Sequence, residues 1–308
     1  MNFSAPWRPR QTTSSNTGHF PTLLCGILMH EMKLLNEWVK DRKRVLVMGT
    51  LNLTPDSFYD GGRYPTKDAA IEQALQMVEE GADIIDIGGE SSRPGARSVS
   101  AAEELERVIP VIEGIHKRSD LLLSVDTTKA VVATEAIEAG ASVVNDISAL
   151  RFDPKMAGVV ADRGVFIVLM HMKGKPETMQ KNPSYNDPVE EIKAFFAERI
   201  EMTISSGISA DKIIIDPGIG FGKRLSDNLA IIRGLSRFSA LDAPILVGLS
   251  RKSFLGDILN LPAEERLEGT IAANAIAILD GADIIRVHDV KEGRRAADVA
   301  RALRNVKT

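Results

Sequence analysis

A single cysteine, Cys25, stands in a chain of 308 residues. It has no partner for an internal disulfide and cannot build a cysteine-rich zinc site, so a reducing cytoplasm is the expected home. Other metal signatures are missing too: His19, His30 and His116 have no spacing that suits zinc. Positive charge is not in surplus. The formal net charge of −4 disfavours nucleic acid or an anionic membrane surface as a partner of the whole molecule. The apolar run at 20–29 is too short to span a bilayer. Neither G-x-S-x-G nor a Walker A pattern occurs. Residues 1–30 contain no Asp or Glu, carry Arg8 and Arg10, and show no clear small-residue cleavage site. Residues 1–40 are expected to form an N-terminal extension, partly disordered, with Met32 as an alternative start.

What is present fits one soluble globular domain over 41–308: hydrophobic residues make up 44% and charged residues 26%. Short β-branched runs sit at Val45–Met48, Asp83–Ile87, Leu121–Val125, Ser142–Asn145, Val165–Met170, Lys212–Ile215, Pro244–Val247 and Asp283–Val287. They are continuous rather than alternating, as strands buried on both faces should be. Helical stripes separate them. After Thr66, an N-cap residue type, Ala70, Ala74, Leu75 and Val78 share a face, and Gly81 offers a stop. Similar stripes run through 101–118, 129–139, 154–163, 187–206, 226–237, 264–280 and 292–305. One joint repeats: Gly81-Ala82-Asp83-Ile84-Ile85, Gly140-Ala141-Ser142-Val143-Val144 and Gly281-Ala282-Asp283-Ile284-Ile285 each close a helix and open a strand. Eight strand–helix units predict an α/β (β/α)8 TIM barrel. The competing architecture is an open doubly wound sheet. However, no G-x-G-x-x-G follows the first run, and polar clusters follow nearly every run rather than one switch point.

Those clusters carry the chemistry, because parallel barrel strands end on a common face. Asp126, Asn145 and Asp216 form an acceptor set. Two carboxylates and an amide can read a flat heterocycle bearing an amino group, a ring NH and a carbonyl. The bland alternative for Asp126 is a cap on the next helix. Arg93, Lys252, Arg286 and His288 form a cationic set suited to a polyanion; each alone could equally serve a surface ion pair. Arg286 and His288, two apart on an extended segment, point the same way. Asn52 could ligate Mg²⁺ with phosphate oxygens and waters, or simply form a turn. In Asp216-Pro217-Gly218-Ile219-Gly220-Phe221-Gly222-Lys223 the glycines let backbone approach a ligand, and Phe221 could cover a planar ring.

In this order the stretches resemble the dihydropteroate synthase family. The matching segments are Met48 through Phe58, Asp86 through Gly95 (Gly88-Gly89-Glu90-Ser91-Ser92-Arg93-Pro94-Gly95 at its centre), Ser124 through Thr127, Asn145-Asp146-Ile147, Met170-His171-Met172, Asp216 through Lys223, Ser250-Arg251-Lys252 and Arg286 through Asp289. The resemblance covers roughly 45–300 and implies a folate-pathway transferase. Its reaction joins 6-hydroxymethyl-7,8-dihydropterin diphosphate to 4-aminobenzoate, giving 7,8-dihydropteroate and diphosphate. By position it implies that Asp126, Asn145, Asp216 and Lys252 hold the pterin. Asn52, Ser92, Arg93, Arg286 and His288 would hold diphosphate, with Asn52 also meeting Mg²⁺. Phe58, Arg93, Pro94, Phe221 and Ser250 would close the aminobenzoate pocket. Arg93, Asp126, Asp216 and Lys252 would be the catalytic set. A homodimer and sensitivity to sulfonamides are further family properties. Ser92 replaces the more common Thr, and Ile219 a frequent Phe.

The implied chemistry is a dissociative, S_N1-like loss of diphosphate, after which the neutral aryl amine attacks without needing a strong base. Two rival readings are a pterin-binding methyltransferase domain and a non-catalytic pterin-binding protein. The first leaves the Ser92-Arg93-Pro94-Gly95 loop and the Arg286/His288 pair without a polyanion, and the intact loop clusters argue against the second.

Overall fold

The computed structural model describes residues 33–54, 66–93, 95–96 and 98–306. A helix over 33–41 (α1) comes first. The chain then alternates through β1 Leu46–Asn52, α2 Lys67–Glu79, β2 Ile84–Gly88, α3 Ala101–His116, β3 Leu122–Asp126, α4 Ala130–Ala139, β4 Val143–Asp146, α5 Met156–Arg163, β5 Phe166–Met170 and α6 Pro188–Ser205. It continues through β6 Ile213–Asp216, α7 Leu225–Arg233, β7 Leu246–Gly248, α8 Ser253–Leu259, α9 Leu267–Leu279, β8 Ile284–Val287 and α10 Val290–Arg304. All strand pairs are parallel, in the order β6-β5-β4-β3-β2-β1-β8-β7. A parallel bridge between Ile215 and Ile245 joins the two ends of that list, so the sheet closes. The expected eight-stranded barrel is therefore observed, and the open sheet is excluded.

Closure sorts each strand by a period of two. Val45, Val47, Ile85, Ile87, Val144, Ile167, Leu169, Ile213, Ile215, Val247 and Ile285 face outward into the layer between strands and helices. Leu46, Met48, Ile84, Val143, Phe166, Val168, Ile214, Leu246 and Ile284 fill the lumen as a separate cluster. Both faces are apolar, which explains the continuous hydrophobic runs in the sequence.

Residues 33–41 belong to this core, although the sequence analysis ends the extension at residue 40. Leu35 and Trp38 of α1 pack onto the lumenal cluster from the floor. The Trp38 indole donates to the Arg44 carbonyl at 2.6 Å, and Lys212 reaches Asn36 at 2.8 Å. The repeated helix-to-strand joint also finds its physical role. Asp83 accepts from the Val47 amide at 2.8 Å, and Asp283 accepts from the Ile245 amide at 3.1 Å. Each acid pins its strand to the next one along the barrel floor, and Arg294 adds an ion pair to Asp83 at 3.1 Å. Ser142, at the third joint, lacks the carboxylate. Thr66 caps α2 as expected, accepting from the Ala69 amide at 3.3 Å. Helix α8, inserted between β7 and α9, was not anticipated.

Candidate active site

The inward parity that fills the lumen continues upward into polar residues. Two positions beyond the lumenal Ile84, Val143, Ile214 and Ile284 stand Asp86, Asn145, Asp216 and Arg286; four beyond Met48 and Leu122 stand Asn52 and Asp126. Ser250 and His288 sit four beyond Leu246 and Ile284. Register brings neighbours level: Asn52 opposite Gly88, Gly88 opposite Asp126, Asp126 opposite Asn145, and Gly248 opposite Arg286. The C-terminal mouth of the barrel thus gathers side chains from β1, β2, β3, β4, β6 and β8, with the loops after β2 and β7 beside them.

Asp86 is the hub. It is fully buried and accepts from Arg286 Nε at 2.6 Å and Asn145 Nδ2 at 3.0 Å through the same oxygen. The other arm of Arg286 donates to Asp126 Oδ2 at 3.0 Å. Arg286 is therefore a fork divided between two carboxylates rather than a free cation at the rim. The helix-cap alternative for Asp126 does not hold: α4 has no side-chain cap from it, and the Ala130 amide donates to Asp153 instead.

On the opposite wall, Asp216 accepts from the Gly218 amide at 2.8 Å, which turns the glycine-rich loop inward. Gly218 has φ +66°, and a Cβ there would run into the His171 carbonyl. That loop is fastened to the end of β5 by Lys223. Its ammonium reaches His171 Nδ1 at 3.0 Å, the His171 carbonyl at 3.2 Å and the Phe221 carbonyl at 3.0 Å. Lys252 crosses from the β7 side to the Ile219 carbonyl at 2.6 Å and lies 4.8 Å from the Phe221 ring centre. Phe221 packs on a small apolar cluster of Ile147, Met170, Met172 and Met179. A flat ring entering the mouth would meet acceptors at its edge and this soft surface on its face.

At the rim, His288 Nδ1 lies 3.0 Å from Ser250 Oγ. Arg251, between the two site residues Ser250 and Lys252, is tied to Asp289 by two hydrogen bonds of 2.9 and 2.6 Å. Ser92 and Asp126 border a cavity of about 540 Å³ that also touches Lys129, Ile147 and Arg151. Arg93 is exposed, and its charge is felt at His288. Asn52 is half-buried at the end of β1. Phe58 and Pro94 lie outside the described residues.

The electrostatics follow from crowding charges in a dry mouth. Burial, then the neighbouring Asp86, pushes Asp126 up to about 7, against the pull of Arg286. Burial raises Asp216 as well, opposed by Lys252. Burial lowers Lys252 to about 8, although Asp216 favours its charge. Burial works against the Arg286 charge, but Asp86 and Asp126 hold it firmly on. His288 is lowered to about 4 by burial and by Arg286. That shift favours the neutral ring, which stands within hydrogen-bond reach of the Ser250 hydroxyl.

Among the described residues no group of three or more His, Cys, Asp or Glu could hold a metal ion. Asn52 offers one neutral amide oxygen. That donor set fits a hard cation only when phosphate oxygens and water supply the remaining ligands.

Sequence reasoning missed four participants. Asp86 sits inside an apolar run, and nothing in the sequence marks it as the partner of Asn145 and Arg286. Lys223 was quoted inside a motif but not as the residue that welds two loops. The acids Glu90 and Glu104, which share Lys129 below the loop carrying Ser92 and Arg93, gave no signal because their partners are distant in sequence.

The profile of the pterin binding enzyme family matches residues 48–288. Over 264 residues the chain is 50% identical to the Bacillus subtilis dihydropteroate synthase, spanning 86% of this chain and 90% of that protein. The Yersinia pestis dihydropteroate synthase, solved in complex with a sulfonamide drug, superposes with a TM-score of 0.83 at 47% identity, covering 86% of this chain and 96% of the other. The Xanthomonas albilineans dihydropteroate synthase, solved with 4-aminobenzoic acid, gives a TM-score of 0.81 at 45% identity, covering 86% and 95%.

Proposed function

The chain belongs to the dihydropteroate synthase family of pterin-binding enzymes, and from that premise we propose a division of labour at the barrel mouth of residues 41–308. It is a transferase of folate synthesis, condensing 6-hydroxymethyl-7,8-dihydropterin diphosphate with 4-aminobenzoate. In our reading Asp126, Asn145 and Asp216 accept from and donate to the pterin edge. Lys252 and Phe221 line its face. Ser92, Arg93, Arg286 and His288 receive the diphosphate, with Asn52 beside them. Arg93 and Ser250, with Phe58 and Pro94, border the aminobenzoate.

The chemistry then runs on positioning and field. The bond from the pterin methylene carbon to the diphosphate oxygen breaks, and its electron pair leaves with the diphosphate. Arg93 and Arg286 offset the developing negative charge, and neutral His288 donates a hydrogen bond to it. Asp126 and Asp216, when ionised, favour the positive charge delocalised over the pterin. The aryl amine lone pair forms the new C–N bond, and its extra proton passes to water. Asn52 would help hold a Mg²⁺ delivered with the substrate; when bound, the ion would further neutralise the leaving group.

The observation that carries this reading is the shared mouth: Asp86 joins Asn145 to Arg286, and Arg286 joins Asp126, through contacts of 3.0 Å or less. The test is incubation of the protein with pterin diphosphate, 4-aminobenzoate and Mg²⁺. Diphosphate should be released in an aminobenzoate-dependent manner; no release would overturn the reading. The same reading includes a homodimer, measurable by light scattering. No described helix is long and apolar enough to cross a membrane.

A further inference from the structure

The loop that follows β2 carries Ser92 and Arg93, and charged side chains anchor its root. Glu90, at its root, accepts from the Val99 amide at 3.3 Å, so one carboxylate ties the entry of the loop to its exit. The same carboxylate is bound by the Lys129 ammonium, which also binds Glu104 of α3. Glu104 has a side chain with no solvent exposure, while Lys129 and Glu90 are about one-quarter exposed, at 24% and 25%. Arg107, one turn along α3 from Glu104, donates to the Gly89 carbonyl at 2.6 Å and so braces the loop root from the same helix. Lys129 stands three residues beyond Asp126, on the connection leaving β3. All three members of the cluster line the cavity that Ser92 and Asp126 also border.

We propose that Lys129 is a positioning residue for the transfer reaction: by binding Glu90 and Glu104 together, its ammonium holds the Ser92–Arg93 loop over the end of β3 that presents Asp126. The proposal rests on the functional reading above. A buried carboxylate such as Glu104 requires a counter-ion, but one neighbour would suffice. Sharing the cation with Glu90 couples the loop root to the helix layer, and hence to the pterin end of the site. A loop that presents Ser92 and Arg93 to the site needs a fixed root, because small misplacements of a charged group at the reacting centre are costly.

Glu90→Gln tests this directly, since it leaves the Lys129–Glu104 pair in place and keeps an acceptor for Val99. The readouts are steady-state diphosphate release with varied 4-aminobenzoate, calorimetric affinity for pterin diphosphate without aminobenzoate, and the thermal midpoint. The expected result is a fall of roughly 10-fold or more in kcat/KM for aminobenzoate, with pterin diphosphate affinity and thermal midpoint near wild type. Lys129→Met should show the same fall in kcat/KM, here with a lower thermal midpoint because Glu104 loses its counter-ion, and Lys129→Arg should recover most of both. Wild-type kcat/KM in Glu90→Gln would overturn the proposal. So would parallel losses of pterin affinity, kcat/KM and thermal midpoint, which would mark a merely structural ion pair. If the wild-type protein releases no diphosphate, the substrate reading fails instead. The clamp is then judged by amide exchange at residues 91–93 and 98–99, which must rise in Glu90→Gln; unchanged exchange would overturn it.

Discussion

Arg286 and Asp86, 200 positions apart in sequence, lie 2.6 Å from each other at the centre of the barrel mouth. The pair fixes the direction of the Arg286 fork, and its second arm then reaches Asp126 at 3.0 Å. Asp86 also orients Asn145, so one carboxylate aligns three of the residues assigned to substrate.

Asp86→Asn keeps the shape and removes the charge. It should cost about 1–3 kcal/mol of stability by urea titration, because a fully buried acceptor of two donors is weakened. The charge of Asp86 is also one reason why Asp126 sits near 7. The acidic limb of the pH–rate profile should therefore move to lower pH. A limb that stays in place would separate the two carboxylates.

Ionisation of Asp126 and Lys252 predicts a bell-shaped kcat/KM for pterin diphosphate, rising through about 7 and falling through about 8. Lys252→Arg should shift the basic limb upward, because a guanidinium keeps its proton. Stability should run the other way over the acid range. Asp126 holds a proton up to about 7 when folded but only to its ordinary 3.8 otherwise. Its contribution is complete below 3.8 and is lost as pH rises through about 7. Denaturant midpoints of wild type and Asp126→Asn between pH 4 and 8 check the sign.

Gly218→Ala should disrupt the loop after β6. The position has φ +66°, and the new methyl would strike the His171 carbonyl. A loss of more than about 1 kcal/mol is expected from the backbone conformation alone, together with weaker pterin binding, since Asp216 is fixed by the Gly218 amide. Unchanged binding in calorimetry would show that the loop does not shape the site.

Arg93→Ala should lower turnover while leaving stability within about 0.5 kcal/mol, as expected for an exposed side chain. Kinetics equal to wild type would remove Arg93 from the reaction.

The barrel was legible because short β-branched runs and helical stripes alternate eight times, and the polar residues expected at the strand tips, Asp126, Asn145 and Arg286 among them, do meet at one mouth. The inward parity was not legible. Strands such as Ile84–Gly88 are apolar on both faces, so no alternation marks which residues face the lumen. Asp86 consequently had no assignable role until the sheet closed. His288 is expected among the cations, and its burial beside Arg286, which lowers its pKa to about 4, has no signature in the sequence. Helix α1 turns Leu35, Trp38 and, in part, Val39 to the lumenal cluster, a stripe of a single turn ahead of the first strand. Lys129 gave no signal, since Glu90 and Glu104 are far from it in sequence.

The central claim is that acceptors in the mouth read the pterin while a separate group of donors reads diphosphate. Calorimetric titration of Asp216→Asn with 6-hydroxymethylpterin and, separately, with inorganic diphosphate tests it most directly. Pterin affinity should fall by about 1–3 kcal/mol, with diphosphate affinity held at the wild-type value. Wild-type pterin affinity in Asp216→Asn, or an equal loss for both ligands, would contradict the account.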